Sequence, residues 1–303
     1  LVSLGGVVFI VIGWIKDKVL KALGRQWSPK FFGSTSVKGW AREAPFGGSL
    51  PVAAYLFKEG TRLTFKDAKP EMAIGAYFLR WIQGGSVVPV KAEDGHYDLQ
   101  FPKMEPDFRD DCEKSLYHKA FEAAGANRIL EKGEFDSWAK KHYSSLAGWP
   151  KALVSEGRSK YSGFKGDKIE EAANLLKFKN FLNDFTLAGE REVPEVALWG
   201  QYLEFAQFFG IADKVAKGFA KMYPRQFEDF SKQYYGLDSA TMSTVLNSWS
   251  SMASRAYRSA YSEKLSSDAA SRSGSGSSGG FGGHSSFGGG GGFSGGGFGG
   301  GSR

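Results

Sequence analysis

The sequence predicts a mainly α-helical protein. A truncated N-terminal transmembrane helix and a winged-helix-like α+β module come first, followed by a helical C-terminal domain and a disordered Gly-rich tail. Three observations carry this expectation. Residues 1–15, LVSLGGVVFIVIGWI, hold no charge and run straight into a cluster of lysine and arginine. Apolar side chains recur at helical spacing through much of 107–265. From Gly274 onward, 17 of the last 30 residues are glycine.

A bilayer-crossing helix takes about 20 apolar residues at about 1.5 Å each. The run 1–15 therefore reads as the end of such a helix, cut by a fragment boundary upstream of Leu1. Trp14 suits the interfacial belt, and Lys16, Lys18, Lys21 and Arg25 mark the cytoplasmic flank. The whole chain carries +7. Six cations stand against Asp17 alone in the first 40 residues, so most of that surplus belongs to the flank. A lone cysteine, Cys112, excludes a disulfide framework within the chain and fits a reducing compartment.

The expected organisation is a helix end with its basic flank over 1–26, a linker over 27–47 and a winged-helix-like module over 48–104. A helical domain over 105–265 and the tail over 266–303 follow. In the linker, Pro, Gly and Ser occur without a clean period. Ser49 is the expected N-cap of a helix ending at Gly60. Residues 69–85 predict a stronger helix, with Pro70 in its first turn and an apolar face through Met72, Ala73, Ala76 and Leu79. The β-leaning runs 86–90 and 96–101, joined across Asp94-Gly95, predict a hairpin.

Further helices are expected over 107–125, 133–149, 167–185, 194–210, 211–223 and 238–265. In the first of these, Cys112, Leu116 and Ala120 share a face. In 167–185 the apolar face runs through Ile169, Ala172, Leu176 and Phe181, with Asn180 among them. The tail cannot bury enough side chain to offset its backbone entropy, so disorder is expected there. Its Phe281, Phe287, Phe293 and Phe298 stand five or six residues apart, a spacing that favours isolated contacts to partners over any continuous amphipathic face.

Chemistry-bearing patterns are few. Gly274-x-Gly276-x-x-Gly279 matches a dinucleotide fingerprint by letter, but it lacks the preceding strand and following helix that aim amides at a pyrophosphate. Cys112 and His118 are spaced wrongly for one helix face, and no second pair completes a metal site. Glu190, Glu192 and Glu195 surround a helix start, where the dipole favours negative charge. No cofactor, metal or catalytic residue is expected. A groove-reading helix brings several basic or amide side chains to DNA. The stretch 71–83 offers one Arg amid apolar residues, so specific DNA binding is not expected.

The segments LLKFKNFLNDF (175–185) and EREVPEVALWGQYLEFAQFFGIADKVAK (190–217) resemble the bacterial predicted membrane protein family known as domain of unknown function 2207. The positions carrying the resemblance are Phe178, Lys179, Phe181, Leu182, Pro194, Trp199, Tyr202, Leu203 and Gly210. The stretch 45–101, the Ser-rich segment near 247–252 and the Gly/Phe/Ser tail are similar too. The resemblance implies an extracytoplasmic N-terminal domain upstream, a transmembrane helix, and residues 16–303 on the cytoplasmic side of the bacterial inner membrane. One departure stands out: the stretch 152–171, where family members carry a second hydrophobic hairpin, is polar here.

The expected function is that of a membrane-anchored, non-enzymatic interaction or scaffold protein of the bacterial envelope, with the lipid bilayer and other proteins as partners. The alternatives are a membrane-tethered winged-helix transcriptional regulator, and an enzyme whose site lies in the missing N-terminal domain.

Overall fold

A computed structural model describes residues 37–60, 72–162, 168–184 and 196–273. The chain is mainly helical with one small sheet. Helix α1 (Leu50–Gly60) follows a 3-10 turn at Pro45–Gly48, and α2 spans Met72–Gln83. Strands β1 (Val88–Lys91) and β2 (Tyr97–Gln100) form an antiparallel hairpin. Helix α3 (Asp111–Ala123) precedes β3 (Ile129–Leu130), which pairs antiparallel with β2. The remaining helices are α4 (Glu134–Lys141), α5 (Tyr143–Tyr161), α6 (Lys168–Asp184), α7 (Trp199–Phe208), α8 (Ala212–Met222), α9 (Pro224–Tyr235) and α10 (Ser239–Ser273).

Local chemistry sets several of these boundaries. The Ser49 hydroxyl oxygen accepts from the Val52 amide at the start of α1, as an N-cap should. Asp110 caps α3 by accepting from the Glu113 amide at 2.7 Å. The Glu156 carboxylate of α5 accepts from the Asp111 and Cys112 amides of the same first turn. Gly95 takes φ +88° in the hairpin loop, a conformation that L side chains rarely adopt. Gly210 does the same between α7 and α8, at φ +73°.

Two helix pairs dominate the packing: α1 on α5, and α2 on α7. The first is close because Gly157 has no Cβ; an added methyl would overlap the Pro51 carbonyl. The second is reciprocal. The Gln207 amide of α7 lies over Gly75 of α2, and the Gln83 amide of α2 lies over Gly200 of α7. One hydrophobic cluster joins Leu50, Ile74 and Trp81 to Phe178, Trp199, Phe219 and Trp249. The stretches 48–104 and 105–265 thus share a core.

Helix α2 is buried at every position from Ala73 to Ile82. The expected helix–helix–hairpin order is present, but the second helix faces protein on all sides. The expected 133–149 helix is divided at His142 into α4 and α5, and α5 continues to Tyr161. The polar-looking 152–171 stretch therefore begins as helix, with Leu153, Val154, Gly157 and Tyr161 buried. Helix α9 was not expected from sequence; Phe227, Phe230, Ser231 and Tyr235 form its buried face.

Among the described residues no helix is long and apolar enough to cross a membrane; the run 1–15 lies outside them. The tail expected over 266–303 begins as helix, because α10 continues to Ser273; the rest of it lies outside the described residues.

Candidate functional site

The buried charge of this protein converges on Arg80, in the middle of α2. Its Nη2 donates to Glu204 Oε1 at 2.6 Å and its Nε to Glu204 Oε2 at 3.0 Å. This is the two-pronged geometry that a guanidinium and a carboxylate favour. Nη1 donates to Glu113 Oε2 at 3.1 Å and stands 3.7 Å from Asp110 Oδ2. Nη2 also reaches the Gly48 carbonyl at 3.4 Å. Trp81 Nε1 donates to the other Glu113 oxygen at 3.1 Å, and Tyr77 Oη donates to Asp110 Oδ1 at 2.8 Å. The cluster thereby ties α2 to α3, to α7 and to the turn before α1.

Three carboxylates face one guanidinium in a buried setting. Burial works against the Arg80 charge, but Glu204 outweighs it and holds the guanidinium above its already high range. Burial pushes the Glu204 carboxyl up, and Arg80 offsets this only in part. Burial likewise raises Asp110, against hydrogen bonds from the Glu113 amide and Tyr77. Burial, with Asp110 next, raises the Tyr77 hydroxyl well above its usual value. Protons are therefore held more tightly here than at a solvated carboxylate.

Beside the cluster opens a cleft of about 410 Å³, with Arg80 and Asp110 reaching its inner wall. Phe46, Ser49 and Val52 also line it, and Arg109 and Lys160 are its exposed lining residues, which sets them at its mouth. Lys160 pairs with Glu156 at 2.8 Å. Phe46 and Gly47 both lie in the left-handed region, at φ 58° and 60°, which turns the chain sharply before α1.

Elsewhere the titratable groups are dispersed. Among the described residues, no three ligating side chains gather to hold a metal ion. Cys112 is buried, and burial together with Glu156 pushes its thiol up, away from nucleophilic reactivity. His118 pairs with Glu105 at 2.9 Å near the surface. His96, at the hairpin, lies between Asp94 and Asp98.

The expected membrane-flank residues Trp14, Lys16, Lys18, Lys21 and Arg25 lie outside the described residues. So do Phe281, Phe287, Phe293 and Phe298 of the tail, and Glu190, Glu192 and Glu195. The Arg80 cluster escaped the sequence reading, although a signal was available. Arg80 and Glu204 are each a lone charge inside an otherwise apolar helix, and such charges need partners.

Nine positions suggested the family resemblance, and six of those that are described are core residues. Phe178, Phe181, Leu182, Trp199, Tyr202 and Leu203 are all buried. Trp199 stacks on Phe219 with ring centroids 4.5 Å apart, and Phe178 meets Phe205 edge-on at 5.4 Å. Gly210 supplies the turn, and Lys179 lies over the Phe209 ring at 5.9 Å. Asn180, on the expected apolar face, donates to the Val37 carbonyl at 2.9 Å. The similarity here is thus one of packing. No curated protein and no solved structure matches the chain. Residues 167–219, from the start of α6 into α8, match the family model described as "Predicted membrane protein (DUF2207) C-terminal domain".

Proposed function

We propose that this chain is a membrane-anchored, non-enzymatic interaction or scaffold protein of the bacterial envelope. The anchor is the apolar run 1–15, and the helical region lies on the cytoplasmic side. The observation that carries the reading is the match of 167–219 to a predicted membrane protein family, because the described signature residues build a core rather than a reactive centre. Two features support it further. Arg80, the buried cation of the cluster, is engaged by Glu204, Glu113 and Gly48 in holding helices together. Helix α2, the segment a DNA-binding module would present, gives residues 73–82 to the interior.

In this reading Phe281, Phe287, Phe293 and Phe298 are the partner contacts of the tail. Replacing all four with Ser tests that role. Crosslinking in intact cells should show partner bands with the wild-type chain that weaken in the variant, while both chains stay in the membrane fraction. Identical bands from the two chains would remove the tail from the interaction surface.

A further inference from the structure

The cleft beside Arg80 carries charges of both signs at different depths. Asp110, at its inner wall, is only 9% exposed, whereas Arg109 and Lys160 at the mouth are exposed. Phe46 and Val52 supply apolar surface between them. Behind Asp110 stand Glu113 and Glu204, so three buried carboxylates share the buried guanidinium of Arg80, with the charge of Arg109 also felt at Glu204. At the mouth the balance reverses. Lys160 shares its charge with Glu156. The Arg109 guanidinium has no ion-pair or hydrogen-bond partner among the described residues; only its backbone amide bonds, to Glu113.

We propose that this cleft binds a small zwitterion, with its ammonium group inward beside Asp110 and its anionic oxygens outward on Arg109 and Lys160. An inward cation supplies the positive charge that the carboxylate cluster lacks, and it is strongest there because the site is poorly solvated. Burial raises the proton affinity of both Asp110 and Glu204, so neither carboxylate is fully compensated where it stands. An outward phosphate or carboxylate finds in Arg109 a flat, multi-donor partner. A bare anion would gain the mouth but leave the interior unchanged, and a bare amine would do the reverse. A volume of about 410 Å³ admits a molecule of amino-acid or phosphoethanolamine size. Two sources share this chemistry, a free amino acid and the headgroup of an aminophospholipid. Binding here is independent of how the chain is anchored.

Titration calorimetry of the full 303-residue chain in detergent, with four soluble probes, tests the proposal. Glycine stands for the free amino acid, glycerophosphoethanolamine for the headgroup, and inorganic phosphate and ethanolamine for the two halves. Saturable binding of glycine or glycerophosphoethanolamine, at least tenfold tighter than either half, is the expected result, and the tighter of the two identifies the source. Arg109→Ala with Lys160→Ala should weaken that binding tenfold or more with an unchanged melting temperature. Asp110→Asn, which keeps a capping side chain, should weaken it as well. Phosphate binding as tightly as the zwitterions, no saturable binding of any probe, or unaltered affinity in the double variant would each overturn it.

Discussion

Arg80 and Glu204, 124 residues apart in sequence, form a two-pronged ion pair across the α2–α7 interface, at 2.6 and 3.0 Å. On either side of it Gln207 covers Gly75 and Gln83 covers Gly200. The arrangement lets two helices approach closely and fixes their register through one charged contact. Glu113 and Asp110 add α3 to the same guanidinium.

Removing Arg80 should therefore cost far more than removing a surface arginine. Arg80→Met leaves Glu204, Glu113 and Asp110 buried without their cation, and the loss should be about 3–5 kcal/mol in urea denaturation. Arg258→Met, at an exposed position of α10, should cost less than about 1 kcal/mol.

The two interior glycines of α5 make opposite predictions. At Gly157 a methyl would overlap the Pro51 carbonyl, backbone that cannot move without displacing α1. Gly157→Ala should destabilise by about 1–3 kcal/mol or more. At Gly148 the space is open, and Gly148→Ala should stabilise by about 0.5–1 kcal/mol through helix propensity. Thermal melts of the pair check both signs at once.

Trp199 is fully buried, stacked on Phe219 and edge-on to Phe230 at 5.6 Å. Trp199→Ala should cost about 3–5 kcal/mol. A loss below about 1 kcal/mol in chemical denaturation would place the ring outside the core.

The buried carboxylates give stability a pH dependence of definite sign. Asp110 and Glu204 hold protons more tightly folded than unfolded. Their contribution is complete below the unfolded carboxylate range near about 4 and is lost as pH rises through their higher folded values. Asp110→Asn keeps the cap but abolishes one titration. The fall in melting temperature between a buffer near about pH 4 and a neutral buffer should be smaller in this variant than in the wild type.

The sequence carried local structure better than the pairing of distant groups. The cap at Ser49, the Asp94-Gly95 turn and the helix beginning near 168 are written in neighbouring residues, and each is present. Helix α9 also had a signal, Pro224 at its start and Gly236 at its end, but its buried face is aromatic and interrupted by Ser231. Helix α5 looked polar beyond Trp149 because its buried residues there, Leu153, Val154, Gly157 and Tyr161, are spaced among Ser, Glu, Lys and Arg, and one of them is a glycine. The Arg80–Glu204 contact was legible only in part. Each residue is a lone charge in an otherwise apolar helix, which calls for a buried partner, but only the approach of α2 and α7 shows that the two are partners.

Membrane anchoring with the helical region on the cytoplasmic side is tested most directly by cysteine accessibility. The native Cys112 is buried and its thiol is pushed up, so a cysteine introduced at the exposed Lys151 serves as the reporter. In intact bacterial cells a membrane-impermeant maleimide should leave Lys151→Cys unmodified, and permeabilisation should make it react fully, with the chain remaining in carbonate-washed membranes. Equal labelling before and after permeabilisation, or release of the chain by carbonate, would contradict the account.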